Sequence, residues 1–309
     1  MLLLLILVIP TNYAAIGPGG LTNLEDSFEI DGYEMDNHFY SIHVYSQSPI
    51  TIFQYWLLKN NDNFEISEMT QRQEDTTITE SYVQGSISKE VSYKTSIIKA
   101  YQLANEVNND ITIDYLYHGL IIYDYPNRIS EMAIGDVITQ INGIDISIYD
   151  FIDSKDLAYQ SDVIFTISKE DGSSYEYHYE YQEDDVYFWF FPDYEITQAN
   201  PSYDYESFST IGGSSGGLMQ TLSIYVSLLK LNITNIKIAG TGTIEMDGSI
   251  GLIGGIREKI ITASNENVDV FFIPTAHLED ITDLEFTYIL VPVDTVEEAV
   301  YWLYENVIR

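Results

Sequence analysis

A chain of 309 residues with 45% hydrophobic side chains is long enough for two or three modest domains and can build real cores, which excludes a disordered composition. Asp and Glu number 48 against 13 Lys and Arg, a formal charge of −35, so nucleic acid and anionic lipid headgroups are repelled and DNA or RNA binding is discounted. The absence of cysteine removes disulfides, thiolate metal sites and cysteine nucleophiles together.

Residues 1–10 are almost wholly aliphatic, and with residues 13–16 the apolar stretch reaches about 16 residues, short of the roughly 20 that span a bilayer. No basic residue precedes Lys59, so the charged start of a secretory signal is missing. Three readings fit: a membrane anchor, which is preferred; a cleaved signal ending near Asn12-Tyr13-Ala14-Ala15; or a buried N-terminal strand. Ile16-Gly17-Pro18-Gly19-Gly20 reads as a linker, so residues 1–24 are expected to form an anchor or signal remnant with its linker.

Residues 28–45 alternate in the strand manner through Phe39, Ile42 and Val44. Residues 50–58 carry aliphatic and aromatic side chains at a spacing that fits helix or strand. Residues 59–91 are polar and acidic and read as loop with a short helix. In residues 92–107, Ile97, Ile98, Tyr101, Leu103 and Ala104 form a helical stripe.

A different unit begins near Ile111. Gly119-Leu120-Ile121-Ile122-Tyr123 reads as a strand, and Asn142-Gly143 between apolar runs signals a tight turn. A short helix follows near residues 148–157, then strands at 163–168 and 175–181 around Asp171-Gly172. The Ala133-Ile134-Gly135-Asp136-Val137-Ile138 segment, the Ile141-Asn142-Gly143 turn and the 119–122 strand make residues 111–184 similar to a PDZ domain of the bacterial protease type. The resemblance implies that a peptide C-terminus adds as a strand, with backbone amides at Gly119, Leu120 and Ile121 capturing its carboxylate. A PDZ fold that only packs on its neighbour is the alternative. The aromatic run Tyr187-Phe188-Trp189-Phe190-Phe191 reads as core, with a groove wall or membrane rim as the alternatives.

Gly212-Gly213-Ser214-Ser215-Gly216-Gly217 runs directly into an apolar helix pattern through Leu218, Leu222, Tyr225 and Leu229. Residues 236–239 read as a buried strand that continues to Ile244 and turns at Asp247-Gly248. Gly254-Gly255-Ile256-Arg257-Glu258-Lys259 opens a second helix, residues 270–274 and 288–292 are short strands, and Thr295-Val296-Glu297-Glu298 starts a last helix with capping-box spacing. Strands alternating with helices give an α/β or α+β half. Ser215 and Lys259 each lie on a glycine-rich turn entering a helix. That pairing suggests a serine nucleophile activated by a lysine base, a hydrolase without a catalytic histidine. None of His38, His43, His118, His178 and His277 sits in a nucleophile-like motif, and no histidine pair has metal-ligand spacing. No metal and no cofactor are expected, and no phosphate loop of the Gly-x-x-x-x-Gly-Lys type occurs.

These residues carry a second resemblance. Gly213-Ser214-Ser215-Gly216-Gly217 is similar to the Gly-Pro-Ser-Ala-Gly nucleophile motif of Lon-type serine proteases, and residues 254–259 to their Gly-Gly-Leu-Lys-Glu-Lys motif. Thr241-Gly242 falls on the family's Thr-Gly strand and Asp247-Gly248 on its hairpin. Ser214 replaces the motif proline and Gly216 its alanine, and Gly212 stands where an aspartate is frequent. With a PDZ-like unit ahead and an apolar start, the chain resembles the membrane-anchored, PDZ-containing Lon-like subgroup. The resemblance implies an α+β fold: residues 25–110 completing the protease domain, residues 111–184 PDZ, residues 185–309 Lon-type proteolytic domain, with no ATPase module. It implies Ser215 as nucleophile and Lys259 as base, with Gly213, Gly216 and Thr241 in supporting or oxyanion roles. A lysine base needs a depressed pKa, for which Ile253, Ile256 and Ile260 supply apolar surroundings and Arg257 a neighbouring cation. The expected partners are protein or peptide substrates, a membrane through the N-terminus and, as an open option, further copies of the chain. The catalytic body is expected outside the cytoplasm. The alternative is a catalytically silent protein of the same fold that binds peptide C-termini.

Overall fold

Residues 7–183, 185, 188–205 and 212–309 are described by the structure, a computed structural model. The first of two six-stranded sheets runs in the order Ile289–Val293, Val270–Pro274, Ile238–Gly240, Phe39–Gln47, Tyr13–Asn23, Glu65–Glu68. The first four strands are mutually parallel, and Tyr13–Asn23 is antiparallel to both of its neighbours. The join between early and late chain is the parallel register Phe39↔Ile238, Tyr40↔Ala239, Ser41↔Gly240. Parallel strands covered on both faces are apolar throughout, and Val270–Pro274 is buried at every position.

Strand alternation splits the side chains between two cores. Phe39, Ile97, Tyr101, Leu218, Leu222 and Leu303 share the core on one face, beneath the helices Ile78–Val107, Gly217–Leu228 and Val296–Asn306. Ile42, Ala239, Ile256, Ile260 and Phe271 share the core on the other face, beneath the helix Ile256–Asn265. Gly217–Leu228 is buried at every residue, which explains why it is apolar nearly all round.

The helix expected over residues 92–107 begins at Ile78, capped by Thr77 in a reciprocal box with Glu80. Its first half lacks an apolar stripe: the buried positions Ser88 and Ser92 are small and polar, and the Ser92 hydroxyl reaches the loop before Gly217. Residues 16–20, expected as a linker, are the middle of the strand Tyr13–Asn23. A bulge between Pro18 and Gly20 accommodates the proline. A side chain at Gly17 would meet the Phe64 ring at 2.2 Å, and one at Gly19 the His43 carbonyl at 2.1 Å, so these glycines mark close packing rather than freedom. Among the described residues no helix is long and apolar enough to cross a membrane, and residues 1–6 of the apolar start lie outside the described residues.

The second sheet has the order Trp189–Asn200, Thr112–Asp124, Val137–Ile141, Asp162–Ser168, Ser174–Glu180, with Ile144–Asp145 on the third strand; every pairing is antiparallel. Leu120, Ile138, Phe165, Phe188 and Phe190 form its own core. The aromatic run thus alternates, with Phe188 and Phe190 inside and Trp189 exposed, while Tyr187 lies outside the described residues. The sheet extends to Asn200, past the expected boundary at 184, because the 189–200 strand pairs with 112–124 from Asp124↔Trp189 to Thr112↔Asn200. The chain therefore enters and leaves this unit through one long hairpin. The hairpin's base, with Ile113, Ile196 and Ala199, packs on the first core.

Phe39 is fully buried where the early strand meets the late helices. Phe39→Ala is expected to lower unfolding stability by about 3–5 kcal/mol, against about 0.5 kcal/mol or less for exposed Tyr82→Ala. Urea denaturation of the two variants checks this, and equal small losses would remove Phe39 from the core.

Candidate active site

Ser215 is half-buried in the turn that enters Gly217–Leu228. The long helix braces this turn from below. Gly85 carbonyl accepts from the Gly213 amide at 3.1 Å. Ser92 Oγ donates to Ser214 carbonyl at 3.2 Å, and Ser96 Oγ to Gly217 carbonyl at 3.1 Å. Each hydroxyl also lies 3.1 Å from Gln220 Oε1. Gly217 has to be glycine, since a Cβ there would sit 2.7 Å from Ile244 Cγ2. Gly213, at φ 101°, adopts a conformation that glycine tolerates without strain.

Gly213 was expected in a supporting or oxyanion role; its amide donates to the Gly85 carbonyl, which ties the turn to the long helix. The amides of Ser215 and Gly216 have no partner among the described residues. They stand at the start of a 12-residue helix, where the backbone dipoles favour negative charge.

Behind the turn, the strand Ile238–Gly240 delivers Thr241, which is fully buried. Ser215 carbonyl accepts from the Gly242 amide at 2.8 Å and from Thr241 Oγ1 at 3.1 Å. The same Thr241 hydroxyl accepts from Lys259 Nζ at 2.9 Å. Thr241 thus joins the lysine amine to the backbone of the serine. The Ser215 hydroxyl makes no hydrogen bond to a described residue.

Lys259 lies in the first turns of Ile256–Asn265, which starts at Gly255 in the left-handed conformation, φ 65° and ψ 38°. Two further contacts fix this helix. Gly19 amide donates to Thr262 Oγ1 at 3.0 Å, so the glycine-rich strand is its docking surface. Ile253 amide donates to His277 Nε2 at 3.0 Å, and His277 Nδ1 lies 2.8 Å from Asp280 Oδ2. With Nε2 accepting, Nδ1 carries the proton and donates to the carboxylate. His277 therefore positions the loop ahead of the lysine, a role no local motif announces.

Lys259 is 2% exposed, and burial pushes its pKa down to about 7. Arg257 was expected to assist as a neighbouring cation. It instead forms a two-pronged ion pair with Asp283 at 2.6 and 2.8 Å, and burial alone lowers the lysine. Two more titratable groups stand beside it. Burial, together with the Lys259 charge, holds His43 below the usual histidine range, and its Nδ1 is buried without a partner among the described residues. Burial pushes the Glu258 carboxyl up. Among the described residues no cluster of three or more His, Asp and Glu could hold a metal.

The expected peptide-binding residues do not join this site or offer an edge. Gly119, Leu120 and Ile121 lie on an interior strand. They pair with Asp193, Pro192 and Phe191 on one side, and Leu120 and Ile121 pair with Ile138 and Val137 on the other. An added strand cannot pair there, because the 189–200 strand already occupies that edge. The edge strands of this sheet are Trp189–Asn200 and Ser174–Glu180.

A buried lysine whose folded pKa lies below its unfolded value makes stability depend on pH. Between about pH 7 and the unfolded pKa of roughly 10.4, the unfolded chain holds a proton that the folded chain lacks, so stability rises with pH. Lys259→Met is expected to be more stable than the native chain below pH 7, with the advantage shrinking across that window. Urea midpoints from pH 6 to 10 check this; parallel curves for the two proteins would contradict a buried, low-pKa amine.

Residues 209–300, which contain Ser215, Thr241 and Lys259, match the family model of the Lon protease (S16) C-terminal proteolytic domain. The chain is 35% identical over 77 residues to the Lon protease of Karelsulcia muelleri (strain GWSS), covering 25% of this chain and 9% of that protein. It is 33% identical over 95 residues to the archaeal Lon protease of Methanocaldococcus jannaschii, covering 31% of this chain and 14% of that protein. The chain thus spans only a small part of these relatives. The segment matched by the family model carries the serine and the lysine, and the likeness is to a serine peptidase domain.

Proposed function

We propose that the chain is a serine endopeptidase in which Ser215 is the nucleophile and Lys259 its base. The observation that carries this reading is the buried Lys259 amine, with a pKa of about 7, joined through Thr241 to the Ser215 backbone. An amine that is about half neutral at pH 7 has a lone pair available for a hydroxyl proton. Lys259 takes the Ser215 proton as the oxygen attacks a peptide carbonyl carbon. The negative charge on the carbonyl oxygen is met by the amides of Ser215 and Gly216. The C–N bond then breaks, and the lysine returns its proton to the leaving amine. Water, deprotonated by the same lysine, hydrolyses the acyl-serine. Thr241 is a positioning residue that holds the amine toward the turn.

Ser215→Ala and Lys259→Ala are each expected to lower kcat on a casein-like substrate by at least about 10³-fold, with no larger loss in the double variant, since nucleophile and base act as one unit. Native activity should climb as pH rises through about 7, where the lysine loses its proton. A second reading, a catalytically silent binding protein, draws on the Ser215 hydroxyl having no bond to Lys259 and on Ser214 and Gly216 replacing the motif residues. Near-native turnover by Lys259→Ala would remove the dyad, and no turnover by any form would favour the silent reading.

In the same reading the second six-stranded sheet selects substrates, and the apolar start tethers a catalytic body that lies outside the cytoplasm. Support for selection comes from the PDZ resemblance, the separate core and the edge strands Trp189–Asn200 and Ser174–Glu180. Because Tyr117 pairs with Tyr194, residues 118–193 can be replaced by an Asn-Gly turn that closes the remaining hairpin. This variant is expected to keep cleavage of a short peptide while losing about 10-fold or more on folded proteins, in line with the loss of a recognition surface. Equal losses on both substrates would make the unit purely structural.

A further inference from the structure

The helix Ile52–Leu58 packs none of its residues into a core. It carries no charge, yet Ile52, Phe53, Trp56 and Leu57 are all exposed, Trp56 by 64% and Leu57 by 58%. Phe53 and Trp56 stack on each other at 6.4 Å. The patch does not stop at the helix. Ile52 amide donates to Ile9 carbonyl at 3.1 Å, Thr11 amide to Ile50 carbonyl at 2.8 Å, and Pro10 bridges to Thr51. These contacts lay Leu7, Val8 and Ile9, also exposed, beside the helix. In sequence the apolar run continues upstream through residues 1–6.

Two further features say what covers this surface. The patch is uncharged in a chain of net charge −35, so two copies repel one another while a zwitterionic bilayer does not repel either. The first basic residue of the chain, Lys59, closes the helix. Beside it the Tyr55 and Tyr13 rings meet at a tilt, 4.7 Å between centroids, and Tyr13, Tyr55, Lys59, Phe64 and Ile66 line one small cavity. A tryptophan and a phenylalanine outward, with tyrosines and a lysine at the rim, is the side-chain distribution of the membrane–water interface.

We propose that the Ile52–Leu58 helix and residues 7–9 form the face on which the protein rests in the interfacial layer of a lipid bilayer. The seat goes beyond the proteolytic reading and stands whether or not Ser215 is a nucleophile. It is also distinct from anchoring by the apolar start, which would hold the chain near a membrane without burying Trp56 or Leu57.

The absence of cysteine allows a unique probe. Leu57→Cys in the full chain, labelled with an NBD fluorophore, is mixed with phosphatidylcholine vesicles; Tyr301→Cys, 67% exposed on the last helix, is the control. Emission at position 57 is expected to rise about threefold or more with a blue shift, as for a group sunk about 5–10 Å into the headgroup boundary, while position 301 stays unchanged. Adding Phe53→Ser and Trp56→Ser to the labelled chain should abolish the rise. An aqueous probe at 57 on a chain that floats with the vesicles would overturn the proposal and leave the apolar start as the only anchor. So would failure to bind vesicles at all. A rise driven by protein concentration without vesicles would assign the patch to a second copy.

Discussion

The parallel register of Phe39–Gln47 on Ile238–Gly240 is the constraint from which the site follows. It joins segments separated by the whole inserted sheet. It sets Thr241 at the end of an interior strand, between the Ser215 turn on one face and the lysine helix on the other. Strand alternation on this pair sends Phe39 and Ile238 into one core and Ile42 and Ala239 into the other. The helices beside Ser215 and Lys259 therefore pack on opposite faces of Phe39–Gln47. Slipping this register by one residue would exchange the two faces and take Thr241 away from Lys259.

The site holds an unfavourable group in place. An amine taken out of water loses solvation, and among the described residues the protein returns a single hydrogen bond, from Nζ to Thr241 Oγ1. The low pKa is the measure of that imbalance. It persists because the surroundings leave the lysine no other place: Gly255 turns the helix inward, His277 ties down the loop before it, and Thr262 is pinned to Gly19. The serine turn is determined in the same way. Gly85 and Gly212 let helix backbone and loop backbone touch, with a Cβ on Gly212 falling 2.9 Å from Gly85 Cα. Close approach is what Gly212 and Gly217 provide, while Gly213 and Gly255 supply the positive φ angles that the two turns need.

The inserted sheet is attached differently. Its strands Thr112–Asp124 and Trp189–Asn200 form one hairpin whose base belongs to the main body and whose tip belongs to a separate core. Such an attachment lets a unit be added between two halves of a domain without disturbing the pairing of Phe39 with Ile238. It also closes the edge beside Gly119–Ile121, so any strand-like ligand has to use the outer strands.

Local structure was readable in the chain. Glycine-rich turns before apolar helical patterns located the starts of the two helices beside Ser215 and Lys259, since turn and helix-start preferences reside in adjacent residues. The stripe Ile97, Ile98, Tyr101 and the alternation of Phe39 and Ile42 showed which side chains are buried. Thr77 and Glu80, at the spacing of a capping box, were a further local signal for the helix start at Ile78, hidden by the polar residues that follow. Other features depend on partners far away in the chain, and only the tertiary structure decided them. Ile16–Gly20 is strand because Phe64 and His43 press on its glycines; Arg257 turns to Asp283; His43 and His277 become neighbours of the lysine machinery through strand pairing and loop contact. Sequence records what each segment prefers by itself. Burial, edge occupancy and the pKa of an amine are set by what is packed against it.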